Sequence, residues 1–164
     1  MLKGRVSMTE CTVCRIINSI RDVEKDYFIA ELETGYAIIS NRWQYFKGYT
    51  LFISKECVGE LHELSPDFRS NFLRDMSVVA EALYLSVSPI KLNYELLGNE
   101  CKHLHWHLIP RYGTDPMPQK AIWNISRDIF DTTSPDIEMI IHLRNKIRAE
   151  LITLAEKYGI QYVL

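Results

Sequence analysis

The segment His103-Leu104-His105-Trp106-His107-Leu108-Ile109-Pro110 places an imidazole at every second position. Side chains of a β-strand alternate between faces, so this stretch reads as a strand with His103, His105 and His107 on one side and Leu104, Trp106 and Leu108 on the other. Three imidazoles in a row suit two kinds of chemistry, metal ligation and phosphorus chemistry. The residues around the strand separate them.

The surrounding pattern is antiparallel. Residues 26–33 (DYFIAELE), 35–40 (GYAIIS), 49–54 (YTLFIS) and 90–97 (IKLNYELL) read as further strands, with Gly35 at a turn. Ser65-Pro66-Asp67 combines an oxygen N-cap, proline at the first helical position and an acid in the first turn. It opens a helix to about residue 86 along Phe68, Phe72, Met76, Val79 and Leu83, with Pro89 beyond its end. A second Ser-Pro-Asp at 134–136 opens a last helix ending near Gly159, with Ile137, Ile140, Ile141, Ile147, Leu151 and Leu154 on its apolar side. A short helix over 11–20 would bury Ile16, Ile17 and Ile20, and residues 1–9 read as a loose arm. Hairpin strands with segregated helices define an α+β fold on an antiparallel sheet.

At 164 residues, with no repeat, low-complexity tract or long linker, the chain is expected to be one domain over 1–164. Its net charge of −2 gives no general attraction to nucleic acid or an anionic membrane, so phosphate recognition must be local. Neither a signal-peptide core nor a membrane-length apolar run occurs, which leads to the expectation of a cytoplasmic protein. Cys11, Cys14, Cys57 and Cys101 are then expected as thiols or metal ligands rather than disulfides. Cys-x-x-Cys at 11 and 14 is half of a zinc spacing; the alternative is reduced thiols packed as small hydrophobes.

His-φ-His-φ-His-φ-φ, where φ is apolar, resembles the signature of the histidine triad (HIT) nucleotide hydrolases and transferases. CTVCRIIN, from residue 11, is similar to the opening of the family's bacterial zinc-containing branch. ISNRWQYFKGYTLFISK, from residue 39, resembles its strand–loop–strand segment. The resemblance covers about residues 11–112 and leaves the loop and helix of 113–164 without support. It implies a HIT-like fold, a five-stranded antiparallel sheet with flanking helices and a long C-terminal helix, joined in a homodimer by sheet continuation.

The chemistry implied is hydrolysis at the α-phosphorus of an adenine nucleotide, either a diadenosine polyphosphate or a nucleoside phosphoramidate. Imidazole is neutral near pH 7 and forms a phosphorus bond that water can later break. By resemblance His105 is the nucleophile forming a nucleotidyl-histidine, His107 contacts the phosphate, and His103 braces the site. Asn99 lies where the family often carries a polar side chain near the leaving group, and Asn99-Glu100 replaces the usual Gln-Ser or Gln-Thr. Asn41 matches a ribose-binding position, or serves only as a turn residue. Gly48-Tyr49 stands in place of Gly-His, and Ser54-Lys55 in place of Pro-Lys; neither position is assigned catalysis.

The zinc-containing members complete their site with a histidine that aligns with Cys57 here. The resemblance therefore implies structural zinc on Cys11, Cys14, Cys57 and His103, with Cys101 or His62 as substitute ligands. Trp123 and the 113–133 loop either reach a neighbouring active site or pack in the core. Two rival readings are a nucleotide-binding regulatory protein with little turnover, and an enzyme whose three histidines bind one catalytic metal.

Overall fold

The computed structural model describes residues 11–20, 25–130 and 136–164; the expected arm at 1–9 and the Ser134-Pro135 part of the second cap lie outside them. The helices are α1 (Thr12–Ser19), α2 (Pro66–Val87), α3 (Arg127–Phe130) and α4 (Ile137–Tyr158). The strands are β1 (Phe28–Leu32), β2 (Gly35–Ile39), β3 (Thr50–Ser54), β4 (Lys91–Glu95), β5 (His105–Arg111) and β6 (Tyr162–Val163).

All pairings are antiparallel in one sheet ordered β4-β5-β3-β2-β1-β6. The sixth strand exceeds the five expected. It is two residues long and pairs with the end of β1 after α4 has returned the chain to the sheet, a length too short for alternation to register in sequence.

The helix signals act locally as expected. Ser65 Oγ accepts the Phe68 N–H at 3.3 Å and Pro66 begins α2. The helix closes on Ser88 in the left-handed conformation (φ 46°) just before Pro89. Asp136 caps α4 by accepting the Glu138 N–H at 3.0 Å, and Gly159 (φ 66°) ends it.

Helices α2 and α4 cover one face of the sheet. There Phe72, Val79 and Leu83 meet Ile140, Ile147 and Leu151 over Ile29, Ile39, Phe52 and Leu108. Ile137 was expected in this core but is exposed at the first position of α4, and Leu143 is buried with Ile140 and Ile147 instead. The other face is shared between α1, through Ile20 on Phe28, Ile38 and Ile53, and a second cluster of Phe46, Tyr49, Ile109, Ile122 and Ile125.

The register of β3 on β5 sets Leu51 opposite His107 and Ile53 opposite His105. Cross-strand partners share a face. His105 and His107 therefore stand on the α1 side, away from the main core, where a ligand can reach them.

Candidate active site and metal centre

His103 lies just before β5 rather than inside it, and its ring leaves the path of the other two. The Leu104 N–H bonds to Val58 O at 2.9 Å and the Ser54 N–H to Leu104 O at 3.0 Å, which seats the 55–58 turn against the approach to β5. That pairing carries Cys57 to His103. Cys11 caps α1, and Cys14 follows three residues later on the same helical side.

The ligand atoms of Cys11, Cys14, Cys57 and His103 all lie within 4.8 Å of one another, the one such grouping of three or more His, Cys, Asp or Glu among the described residues. A tetrahedral ion with bonds of about 2.3 Å to sulfur separates its donors by about 3.8 Å, so a small contraction closes the set. His103 Nε2–H donates to Ser54 O at 2.8 Å, leaving the Nδ1 lone pair 3.6 Å from Cys11 Sγ and 3.5 Å from Cys14 Sγ. This carbonyl fixes the tautomer that a metal ligand needs.

Burial, together with the neighbouring sulfurs, pushes the Cys14 thiol up to about 12 and also raises Cys57. Cys11 is buried too, yet hydrogen bonds from Cys14 and its backbone outweigh that burial and hold the thiol below the usual range. Three thiolates cannot share so small a volume without a cation. The four residues can bind a metal ion. Of the substitutes, Cys101 and exposed His62 stand outside the grouping.

His105 Nδ1–H donates to the His103 carbonyl at 2.6 Å, so its Nε2 carries the free lone pair. The His107 ring lies edge-on to it at 4.7 Å. Burial and the charge of His105 lower His107 to about 4, so it is neutral at pH 7.

The Tyr49 hydroxyl sits on His107 Nδ1. Burial, and then the negative Glu95, push this phenol well above its usual range. The protonated hydroxyl thus donates to Nδ1, and His107 keeps its proton on Nε2. His105 and His107 accordingly present one lone pair and one N–H side by side. Because His103 turns to the cysteines instead, the three imidazoles do not converge on a single ion.

A cavity of about 180 Å³ opens beside His105, lined by Val13, Ile16, Ile38, Asn41, Leu51 and Cys101 among others. Ile16, expected buried with Ile17 and Ile20, is exposed because α1 holds it over this opening. On the other flank of His105, Gly59, Leu97, Gly98 and Leu104 border a hollow of about 40 Å³. Asn99 follows Gly98 on the exposed loop, and Asn41 is exposed at the rim of the larger cavity.

The loop between β2 and β3 is held by buried Gln44. Its Nε2 donates to Ser40 O at 2.7 Å and Tyr49 O at 3.0 Å, and its Oε1 accepts the Gly48 N–H at 3.0 Å. Gly48 has φ 90°, where a side chain is disfavoured, and this bend delivers Tyr49 to His107. Tyr49 is the residue that sequence reasoning passed over. Its signal was the departure from Gly-His itself. Trp123, left open between two roles, is half-exposed and donates from Nε1 to Glu95 Oε2 at 2.5 Å.

A six-stranded antiparallel sheet with an imidazole pair on its open face and a Cys₃His cluster behind it defines a histidine triad protein. The HIT domain family model matches residues 21–114, and the chain belongs to that family. It is 29% identical over 112 residues to the Protein hit of Bacillus subtilis, covering 63% of this chain and 72% of that one. A hypothetical histidine triad nucleotide-binding protein from Sulfolobus tokodaii is similar in structure, with a TM-score of 0.68, 25% identity, and coverage of 91% of this chain and 97% of that one. A Zn-bound histidine triad family protein from Mycobacterium smegmatis shares the fold at a TM-score of 0.64 and 19% identity, covering 91% of this chain and 98% of that one. HIT proteins are generally nucleotide hydrolases or transferases and often form dimers. Membership supports a nucleotide-binding, hydrolase-type function. Among the described residues no helix is long and apolar enough to cross a membrane.

Proposed function

We propose that the protein hydrolyses an adenine nucleotide at the α-phosphorus through a nucleotidyl-histidine intermediate on His105. One observation carries this reading. The 2.6 Å bond from His105 Nδ1–H to the His103 carbonyl fixes the tautomer in which the lone pair of the neutral ring lies on Nε2, beside the cavity. An unprotonated imidazole nitrogen held in place is a competent nucleophile toward phosphorus.

His107, neutral with its proton on Nε2, donates to a non-bridging phosphate oxygen as charge builds there. The apolar cavity takes the base, and Asn41 at its rim takes ribose hydroxyls. Asn99 contacts the leaving group but, being an amide, supplies no proton to it. In a second step water displaces His105 from phosphorus and releases the nucleoside monophosphate. His103 serves both halves of the site, since its carbonyl orients His105 while its ring faces the cysteines.

For the metal we infer structural zinc on Cys11, Cys14, Cys57 and His103, the donor set typical of closed zinc sites. It tethers α1 to the turn after β3 and holds His103, and so steadies the carbonyl on which His105 depends. By family resemblance the protein functions as a cytoplasmic homodimer whose sheet continues across subunits; its mass in solution tests this.

The test of the mechanism is turnover of a fluorogenic adenosine phosphoramidate by wild-type protein and by His105→Ala. A loss of about 10³-fold or more is expected, with fold and nucleotide binding retained, because nothing in the pocket replaces a covalent nucleophile. A slow substrate should leave one nucleotidyl mass on His105. Near-normal rates in the variant would sink the covalent route. A second reading, a nucleotide-binding protein with little turnover, draws on Asn99 standing where the leaving group departs. Tight nucleotide binding by the wild type without turnover would establish it.

A further inference from the structure

Helix α1 presents different residues on two sides. Cys14, and Cys11 at its N-cap, turn toward His103 Nδ1, while Val13 and Ile16 border the cavity beside His105. The sheet beneath both is the same. Ile38, Leu51 and Ile53 line the cavity, and they also seat the end of α1 through Ile17 and Ile20. The helix is therefore at once a carrier of metal ligands and a wall of the nucleotide cavity.

Little else holds it. It is eight residues long, and isolated helices shorter than about 12–15 residues are marginal in water. Its N-cap Cys11 makes no side-chain capping bond, its first turn holds no acid and its last turn no base. Among the described side chains of Thr12–Ser19, Cys14 alone is buried. Ile16, at 39% exposure, is a large apolar side chain held at the cavity opening rather than in a core. Among the described residues, the core between the sheet, α2 and α4 includes none from α1. The body of the fold can stand without this helix, but the cavity cannot.

We propose that metal occupancy and nucleotide affinity are coupled through α1. This rests on the nucleotide-binding reading above and assigns that site its regulation. When the four donors are closed on an ion, α1 is fixed over the sheet, and Val13 and Ile16 cover the apolar part of the nucleotide. When they are open, α1 loses its anchor and the cavity loses a wall, while His105 and His107 stay in place on β5. The effect is mutual by linkage: a nucleotide packed against α1 keeps Cys11 and Cys14 in position, and so tightens metal binding by the same factor. This route is separate from the His103 carbonyl, which bears on the chemical step rather than on affinity.

The probe is AMP, the product that the hydrolase reading leaves uncleaved. Calorimetric titration gives its Kd on zinc-loaded protein and on protein stripped with a chelator and exchanged into metal-free buffer. Stripping should weaken AMP about tenfold, and AMP should tighten zinc about tenfold in competition with a chromogenic chelator. Backbone amides of 11–20 should exchange with deuterium faster after stripping, while those of α2 and α4 keep their protection. Ile16→Ser should retain zinc, bind AMP several-fold more weakly and respond much less to stripping. Equal AMP affinity with and without zinc, or undiminished coupling in Ile16→Ser, would overturn the coupling and leave the nucleotide reading standing. Loss of the whole fold on stripping, read by circular dichroism, would overturn it as well, because the metal would then hold the sheet and not one helix. A chain that takes up no zinc would remove the metal centre and the coupling together. AMP binding to neither form would overturn the nucleotide reading along with the coupling.

Discussion

The Tyr49 hydroxyl rests on Nδ1 of His107, where the strand–loop–strand segment of related chains usually carries histidine after glycine. A phenol held protonated by burial can only donate to this nitrogen, so Tyr49 decides which nitrogen of His107 bears the proton. Tyr49→Phe removes the donor and frees the tautomer. About tenfold loss in kcat is expected, the worth of roughly one hydrogen bond in the transition state, with little change in KM. Tyr49→His should recover most of the rate. Unchanged kcat in the Phe variant would show that the contact does not orient His107.

His107 also links stability to pH. Its folded value of about 4 lies below the ordinary 6.5, because burial and then the His105 charge disfavour the imidazolium. Between these values the unfolded chain binds the extra proton, so stability is intact above about pH 6.5 and declines as pH falls toward 4. The upper bound on that decline is about 3 kcal/mol. Urea unfolding of His107→Gln should show a flatter acid limb than the wild type. Parallel limbs would assign the acid sensitivity to other groups.

The metal centre predicts about one zinc per chain by elemental analysis. Cys14→Ser should release the ion and lower the melting temperature by about 5 °C or more, since the ligands come from separate stretches of chain and their closure opposes unfolding. Turnover should fall less than in His105→Ala, because the cluster acts on His105 only through the His103 carbonyl. Full metal content in the serine variant would remove Cys14 from the ligand set.

Arg111 is 1% exposed and spans the base of the loop leading to Trp123. Its guanidinium donates to Asp115 Oδ2 at 2.9 Å, Asn93 Oδ1 at 3.2 Å, Lys120 O at 2.5 Å and Met117 O at 3.3 Å, and lies over Phe46 at 5.4 Å. Lysine matches the charge but not the planar fork. Arg111→Lys should cost about 2–4 kcal/mol by urea unfolding and increase proteolysis within 112–120. Wild-type stability in that variant would show the loop to be held by other contacts.

Much of this arrangement is local in origin and legible in the chain. Alternation at 103–110 specifies a strand, the Ser65-Pro66-Asp67 cap begins α2 where it must, and Cys-x-x-Cys on one side of a short helix presents two sulfurs together. Caps and periodicities act within a few residues, so a linear reading captures them. Long-range placement follows different physics. Which residue meets Tyr49, and whether Cys57 reaches His103, depend on the register of β3 against β5 and on the turn that folds back beside it. That register is chosen by burying Phe52 and Leu108 under α2 and α4, a condition on the whole sheet face. The same holds for Trp123, which reaches Glu95 only because buried Arg111 gathers its loop, and for two-residue β6, which pairs only after α4 brings it to β1. The triad and its ligand types were written in the sequence; the neighbours that tune them were selected by packing.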